Sequence, residues 1–299
     1  MPQQDPTAAR AAKPGAEKRR PSFFWVLAVL ILPLWNLAVK YRFHHPERMP
    51  RTGAFVMSPN HYSEVDPVVM GVAAWKLGRA PRFLAKASLF KNPVLGWFLR
   101  SSGQIPVERS GSQSHAAIRA AEDLVSKGRM VIVYPEGSLT RDPDMWPMRG
   151  KTGAVRIALE RGIPLVPAAH WGTQQILPRY GKKLSLFPRK TVDVIIGEPI
   201  DLSAYEGKLD QASLTAATAV LMDAIAALLA ELRGEPAPAE RWDPVKHGQK
   251  ETGRLDRKDG SRCTVGRGAA RPASASRCSA PAAGAPPSRR SSPTAAPTS

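Results

Sequence analysis

The chain has 299 residues and a formal net charge of +18, a length that supports one domain of roughly 200 to 250 residues with a substantial core. The charge is uneven: residues 248–299 carry 10 Lys/Arg against 3 Asp/Glu, which leaves the body at +11, a balance suited to a phosphate-bearing ligand or an anionic membrane surface. No zinc-finger spacing or aromatic-interleaved basic stripe points to nucleic acid, and the only cysteines, Cys263 and Cys278, lie in the tail, so the body has no disulfide framework and no Cys-based metal site.

Residues 1–22 are polar, with a Lys18-Arg19-Arg20 cluster, and are expected to form a disordered basic N-terminus. Residues 23–39 form an apolar run of 17 residues. As a helix this run is roughly 25 Å long, short of the roughly 30 Å hydrocarbon core of a bilayer. Pro33 should kink it, and no small-x-small site follows it as a cleaved signal peptide would require. Basic Lys40 and Arg42, with Trp25 and Trp35, point to a membrane-associated helix over 23–42, which shallow insertion fits best; full spanning stays open, and a soluble core helix is the alternative.

Residues 43–233 read as an α/β domain. Strands are predicted over 54–57, 82–85, 104–107, 130–134, 165–168 and 192–196. Helices are predicted over 66–78, 88–100 with a break at Pro93, 112–127, 151–161 and 209–232. Strands separated by helices of this length imply a largely parallel central sheet flanked by helices. Pro236 and Pro238 mark the end of the domain, and the Pro/Ala/Ser-rich basic tail over 234–299 is expected to be disordered.

The loop after the first of these strands carries Asn60-His61-Tyr62-Ser63-Glu64-Val65-Asp66-Pro67. A neutral imidazole accepts a proton from a hydroxyl near pH 7, and a carboxylate on its other nitrogen fixes the tautomer and stabilises the imidazolium. The turn lets Asp66 curl back to His61. A capping role is open for the same residue, with Asp66 as N-cap and Pro67 at N1. A second group, residues 103–109, delivers Arg109 to the end of a strand, where a guanidinium suits a phosphate. In a third, Tyr134-Pro135-Glu136-Gly137-Ser138-Leu139-Thr140-Arg141, Gly137 lets backbone N–H groups approach an anion, and Ser138, Thr140 and Arg141 offer donors. Glu136 would position a cation or accept from a substrate hydroxyl; Arg149, Lys151 and Thr152 follow closely. The fourth, residues 162–170, is apolar and reads as a buried strand or the wall of an acyl site. His170 and His115 are second-choice histidines with structural roles expected.

These four groups in this order resemble the motifs of the glycerolipid acyltransferase family, in particular 1-acylglycerol-3-phosphate acyltransferases, over about residues 50–200. The resemblance implies that His61 deprotonates the free hydroxyl of lysophosphatidic acid or a related acceptor, with Asp66 orienting it. The oxygen would attack the thioester of acyl-CoA or acyl-carrier protein, the co-substrate, and no metal or other cofactor would be needed. Arg109, Glu136 and Gly137 would map onto the acceptor-phosphate site. The family often has Glu-Gly-Thr-Arg-Ser where this chain runs Glu136-Gly137-Ser138-Leu139-Thr140-Arg141, so the basic residue arrives later. The expected partners are membrane lipids and the acyl thioester donor, not nucleic acid, with the catalytic domain on the cytoplasmic side of the cell membrane. The oligomeric state is left open. A thioesterase-like hydrolase and a non-catalytic lipid-binding protein are the alternatives.

Overall fold

The structure, a computed structural model, describes residues 23–107 and 127–250. Arg109, His115 and all but the end of the helix expected over 112–127 lie outside the described residues. Helix α1 (Phe23–Ala38) runs directly into strand β1 (Val39–His44). The helix expected over 23–42 therefore ends earlier. Val39, Tyr41 and Phe43 alternate with Lys40, Arg42 and His44, and that period of two favours a half-buried strand. β1 pairs in parallel with β7 (Lys190–Ile196), where Arg42 forms a two-pronged ion pair with Asp193, both contacts at 2.6 Å.

The main sheet is completed by β2 (Phe55–Pro59), β5 (Met130–Ile132) and β6 (Leu165–Trp171), in the order β1-β7-β6-β2-β5. Among the described strands, only the β6–β7 pairing is antiparallel. The chain returns from β6 to β7 through a 3-10 turn and loop rather than a crossover helix, and such a return reverses strand direction. A second, two-stranded parallel sheet pairs β3 (Leu84–Lys86) with β4 (Ile105–Val107), and a bridge from Phe83 to Ile132 joins it to β5.

Alternation along the strands sends their side chains to two cores. Phe55, Met57, Met130, Ile132 and Val194 face helix α2 (Asp66–Lys76) through Val69, Met70 and Ala73. Val56, Val131 and Leu165 face helices α4 (Gly153–Arg161) and α5 (Gln211–Arg233) through Val155, Ile157, Leu221 and Ile225. A sheet covered on both faces explains why its strands read as continuous apolar runs. Helix α3 (Pro93–Ser101) lies between β3 and β4 in the chain. α5 is long and apolar enough to cross a membrane, but Leu214, Leu221, Met222, Ile225 and Leu229 are buried against the sheet and α4, so it is a core helix.

Residues 234–250, expected as part of the tail, are among the described residues. They are held by the Arg149 N–H donating to the Trp242 carbonyl at 2.9 Å, by an Arg241–Asp223 ion pair and by Trp242 stacked on His247 at 3.6 Å. Polar and ring contacts hold this segment where apolar residues are scarce.

Candidate active site

β6, β2 and β5 are adjacent and parallel, so the loops leaving their C-terminal ends converge on one edge of the sheet. Those loops carry His61 after β2, Glu136 after β5 and Thr173 after β6. Asn60 splices the first to the third. Its side-chain amide donates to the His170 carbonyl at 3.1 Å and its oxygen accepts from the His170 N–H at 2.9 Å. The side chain thus continues the β2–β6 ladder one step past Pro59↔Ala168.

His61 Nδ1 lies 3.0 Å from Asp66 Oδ2. The turn curls back as expected, and the capping role is not the one Asp66 fills. Val65 occupies the N-cap position of α2, and the carboxylate turns toward the loop before it. Oδ2 also accepts from the N–H groups of Tyr62 and Ser63, both at 2.8 Å, and Oδ1 accepts from the Thr173 hydroxyl at 2.6 Å. Burial alone would raise the Asp66 carboxyl, but neighbouring His170, His61 and Thr173 outweigh it and hold the group below its ordinary value. An ionised carboxylate only accepts, so the His61 proton sits on Nδ1 and the lone pair on Nε2. Nε2 has no protein partner among the described residues, and the side chain is 13% exposed.

The His61 ring is stacked on Tyr134, centroids 4.1 Å apart, with Phe83 beyond Tyr134 at 6.3 Å. His170 sits 3.8 Å from Asp66 Oδ1 and is wholly buried, with its Nε2 on the Asn60 carbonyl at 3.1 Å. Burial pushes its imidazole below the ordinary value, toward the neutral form, and its buried Nδ1 has no hydrogen-bond partner among the described residues. Among the described residues no group of three or more His, Cys, Asp or Glu side chains is placed to hold a metal ion.

The side chains of the third group are largely buried. Glu136 is 1% exposed; one oxygen accepts from the His61 N–H at 2.9 Å and the other from the Met148 N–H at 3.1 Å. Burial pushes its carboxyl up to about 8 against the opposing Met148 and His61 N–H groups. Through these two bonds it braces the backbone of the His61 loop. Thr140 is also turned inward: its N–H donates to the His61 carbonyl at 2.7 Å and its hydroxyl to the Trp146 carbonyl at 2.6 Å. Arg141 is 2% exposed with Nη1 3.4 Å from the Tyr180 hydroxyl, and the Ser138 hydroxyl is 3.4 Å from the Leu139 carbonyl. These side chains lie within the fold, yet buried Arg141 Nε and the Tyr134 hydroxyl have no hydrogen-bond partner among the described residues. Gly137 does adopt positive φ, at 69°, and the stem of Lys151 comes within 3.1 Å of where its Cβ would be. Arg149 turns away to Asp243, at 3.4 Å.

Sequence reasoning missed Thr173 and Tyr134 as site residues. For Thr173 a signal existed: Gly172-Thr173 directly follows an apolar strand. Gly172 has φ of 114°, and a Cβ there would lie 2.3 Å from the Thr191 carbonyl oxygen, so only glycine allows the turn that presents Thr173 to Asp66.

An α/β fold with this His–Asp pair at converging strand ends places the chain among acyl-transfer proteins: residues 40–171, which hold His61, Asp66 and Glu136, match the family model described as Acyltransferase. The 1-acyl-sn-glycerol-3-phosphate acyltransferase of Bacillus subtilis is 32% identical over 178 residues, covering 60% of this chain and 82% of that one. A chloroplastic protein of the same name from Brassica napus is 30% identical over 187 residues, covering 60% of this chain; the match spans only 51% of that relative's length. The chain belongs to the glycerolipid acyltransferase family. The crystal structure of the 1-acyl-sn-glycerophosphate acyltransferase PlsC from Thermotoga maritima shares the fold, with a TM-score of 0.50 and 23% identity, over 76% of this chain and 86% of that one.

Proposed function

We propose that the protein moves a fatty acyl group from a CoA or acyl-carrier-protein thioester to the free hydroxyl of lysophosphatidic acid or a related lysophospholipid. The observation that carries this reading is the His61 Nδ1–Asp66 contact at 3.0 Å, which leaves Nε2 as the free base. Nε2 takes the acceptor's hydroxyl proton as the oxygen attacks the thioester carbonyl. The C–O bond forms, the C–S bond breaks, and the imidazolium returns its proton to the departing thiolate. Buried Asp66 stabilises the imidazolium in between. Arg109 and Lys151, the latter beside the positive-φ turn at Gly137, are the cations proposed for the acceptor phosphate.

α1 supports attachment to the membrane. Its 16 residues span about 24 Å and expose Val29, Leu34 and Leu37. Because it runs straight into β1, α1 in the headgroup region would hold the sheet at the lipid surface, with the catalytic domain on the cytoplasmic side. The test is acyl transfer by the purified protein in detergent, with labelled acyl-CoA or acyl-carrier protein and a panel of lysophospholipids. Acylated lipid is expected as product, with transfer abolished in His61→Ala. Free fatty acid as the only product would instead make the protein a thioesterase, and wild-type turnover by His61→Ala would remove His61 as the base.

A further inference from the structure

We propose that α3 and the turn before it form a second lipid-docking surface that rests in the headgroup region of an anionic bilayer. α3 starts where the Asn92 side chain accepts from the Leu95 N–H at 2.9 Å, with Pro93 in the first turn. Its inward face is Gly96. A Cβ there would lie 2.2 Å from the Phe90 carbonyl oxygen, so the helix is pressed onto the preceding 3-10 turn, Ala87–Lys91, at the one position where a side chain cannot fit. Arg100 Nη1 holds the same carbonyl at 3.1 Å.

That packing turns the apolar residues outward. Val94 is 76% exposed, Trp97 60%, Leu89 42% and Leu95 38%. Single exposed apolar residues are ordinary; four within nine positions, tryptophan among them, form a patch. The exposed charges next to it on the same stretch of chain are basic. Residues 82–107 include Arg82, Lys86, Lys91 and Arg100 and no Asp or Glu, and Lys91 and Arg100 are exposed beside the patch. Apolar side chains and an interfacial tryptophan among cations fit an anionic lipid surface. The location fits as well: Phe83, next to β3, stacks on Tyr134, which stacks on His61, so the patch-bearing unit abuts the base. This last step rests on the acyl-transfer reading; the patch and its charge do not.

The test uses the full chain with Cys263→Ser and Cys278→Ser, and a single new cysteine by Leu89→Cys, Val94→Cys or, as control, Val245→Cys. Val245 is 58% exposed on the 234–250 segment. Each variant is labelled with an environment-sensitive fluorophore and reconstituted in phosphatidylcholine nanodiscs with or without phosphatidylglycerol. Labels at 89 and 94 are expected to be quenched by doxyl lipids several-fold more than at 245, and more strongly with phosphatidylglycerol present. Labels at 89 and 94 as open to aqueous iodide as at 245 would overturn the proposal. Shielding from iodide without doxyl quenching would also overturn it, by making the occupant a protein surface. Since the readout is depth and not turnover, quenching in a protein that transfers no acyl group would sink the functional reading and leave this surface standing. Val94→Ser/Trp97→Ala, in the chain with its native cysteines, is expected to raise the apparent KM for acceptor presented in bilayers several-fold and to leave turnover in detergent unchanged.

Discussion

Glu136 holds His61 by its backbone and not by its ring: one carboxyl oxygen sits 2.9 Å from the His61 N–H. The Thr140 N–H grips the His61 carbonyl from the other side at 2.7 Å. The peptide groups of His61 are thus clamped between two residues of the loop after β5, while Asp66 sets the orientation of the ring. The first and third sequence groups form one device that fixes where Nε2 points.

Glu136→Gln tests the clamp. Both carboxyl oxygens accept from backbone N–H groups, and an amide offers one acceptor, so its NH2 must face the N–H of His61 or Met148. One buried donor then loses its partner, at a cost of about 1–3 kcal/mol in unfolding free energy. Turnover should fall by about 10- to 100-fold, since each tenfold corresponds to roughly 1.4 kcal/mol. Urea midpoints and initial rates measure both, and unchanged turnover would show that the loop does not need the clamp.

The same carboxyl makes stability depend on pH. Its folded value of about 8 lies above the ordinary value of 4.5, so the native state binds the extra proton between them. Stability should be greatest below the ordinary value, fall as pH rises through the interval and level off above about 8. Asp66 acts in the opposite direction and only in acid, because its value is lowered: its contribution is full above the ordinary carboxylate range and is lost as pH falls beneath it. Unfolding curves of the wild type and Glu136→Gln across this range should differ in slope between those two pH values; parallel curves would show that Glu136 is ionised throughout.

Much of this was legible in the sequence because it is local. His61 and Asp66 are five positions apart, and a strand-to-helix turn brings them together without help from the rest of the chain. Apolar runs between glycine and proline stops located the sheet strands. β1 was legible too, in the alternation from Val39 to His44, but the apolar run before it masked the change of period. Thr173 reaches Asp66 across 107 positions, and Tyr134 reaches His61 only because β5 lies beside β2. Composition gives no strand order, so neither contact could be read. Glu136 was placed by its company of donors; whether such a group meets a ligand or the protein's own backbone depends on burial.

Gly172→Ala tests the turn after β6. The substitution puts a Cβ 2.3 Å from the Thr191 carbonyl oxygen at a φ of 114°. Strain of this kind costs about 1–3 kcal/mol, and the backbone must move to relieve it. The melting temperature should fall, and activity should fall further than the melting temperature explains, because Thr173 moves with its neighbour. Activity lost only in proportion to the unfolded fraction would separate the turn from the chemistry.

Thr173→Val removes the hydroxyl that donates to Asp66 at 2.6 Å and keeps the shape of the side chain. The carboxylate keeps three donors, from Tyr62, Ser63 and His61, all on Oδ2, so the lost bond is the one that fixes Oδ1. Two effects follow. The carboxylate can rotate away from the His61 axis, and turnover should fall by about 10-fold, the equivalent of roughly 1.4 kcal/mol, with little change in KM for either substrate. A carboxylate with fewer donors is also a stronger base and holds the imidazolium more tightly, so the acid limb of the kcat/KM profile should move to higher pH. Thr173→Ser, which restores the hydroxyl, should recover both the rate and the profile. A purely structural threonine would behave otherwise: Val would lower the melting temperature and leave the acid limb in place. Steady-state kinetics of the three proteins across pH separate the two cases.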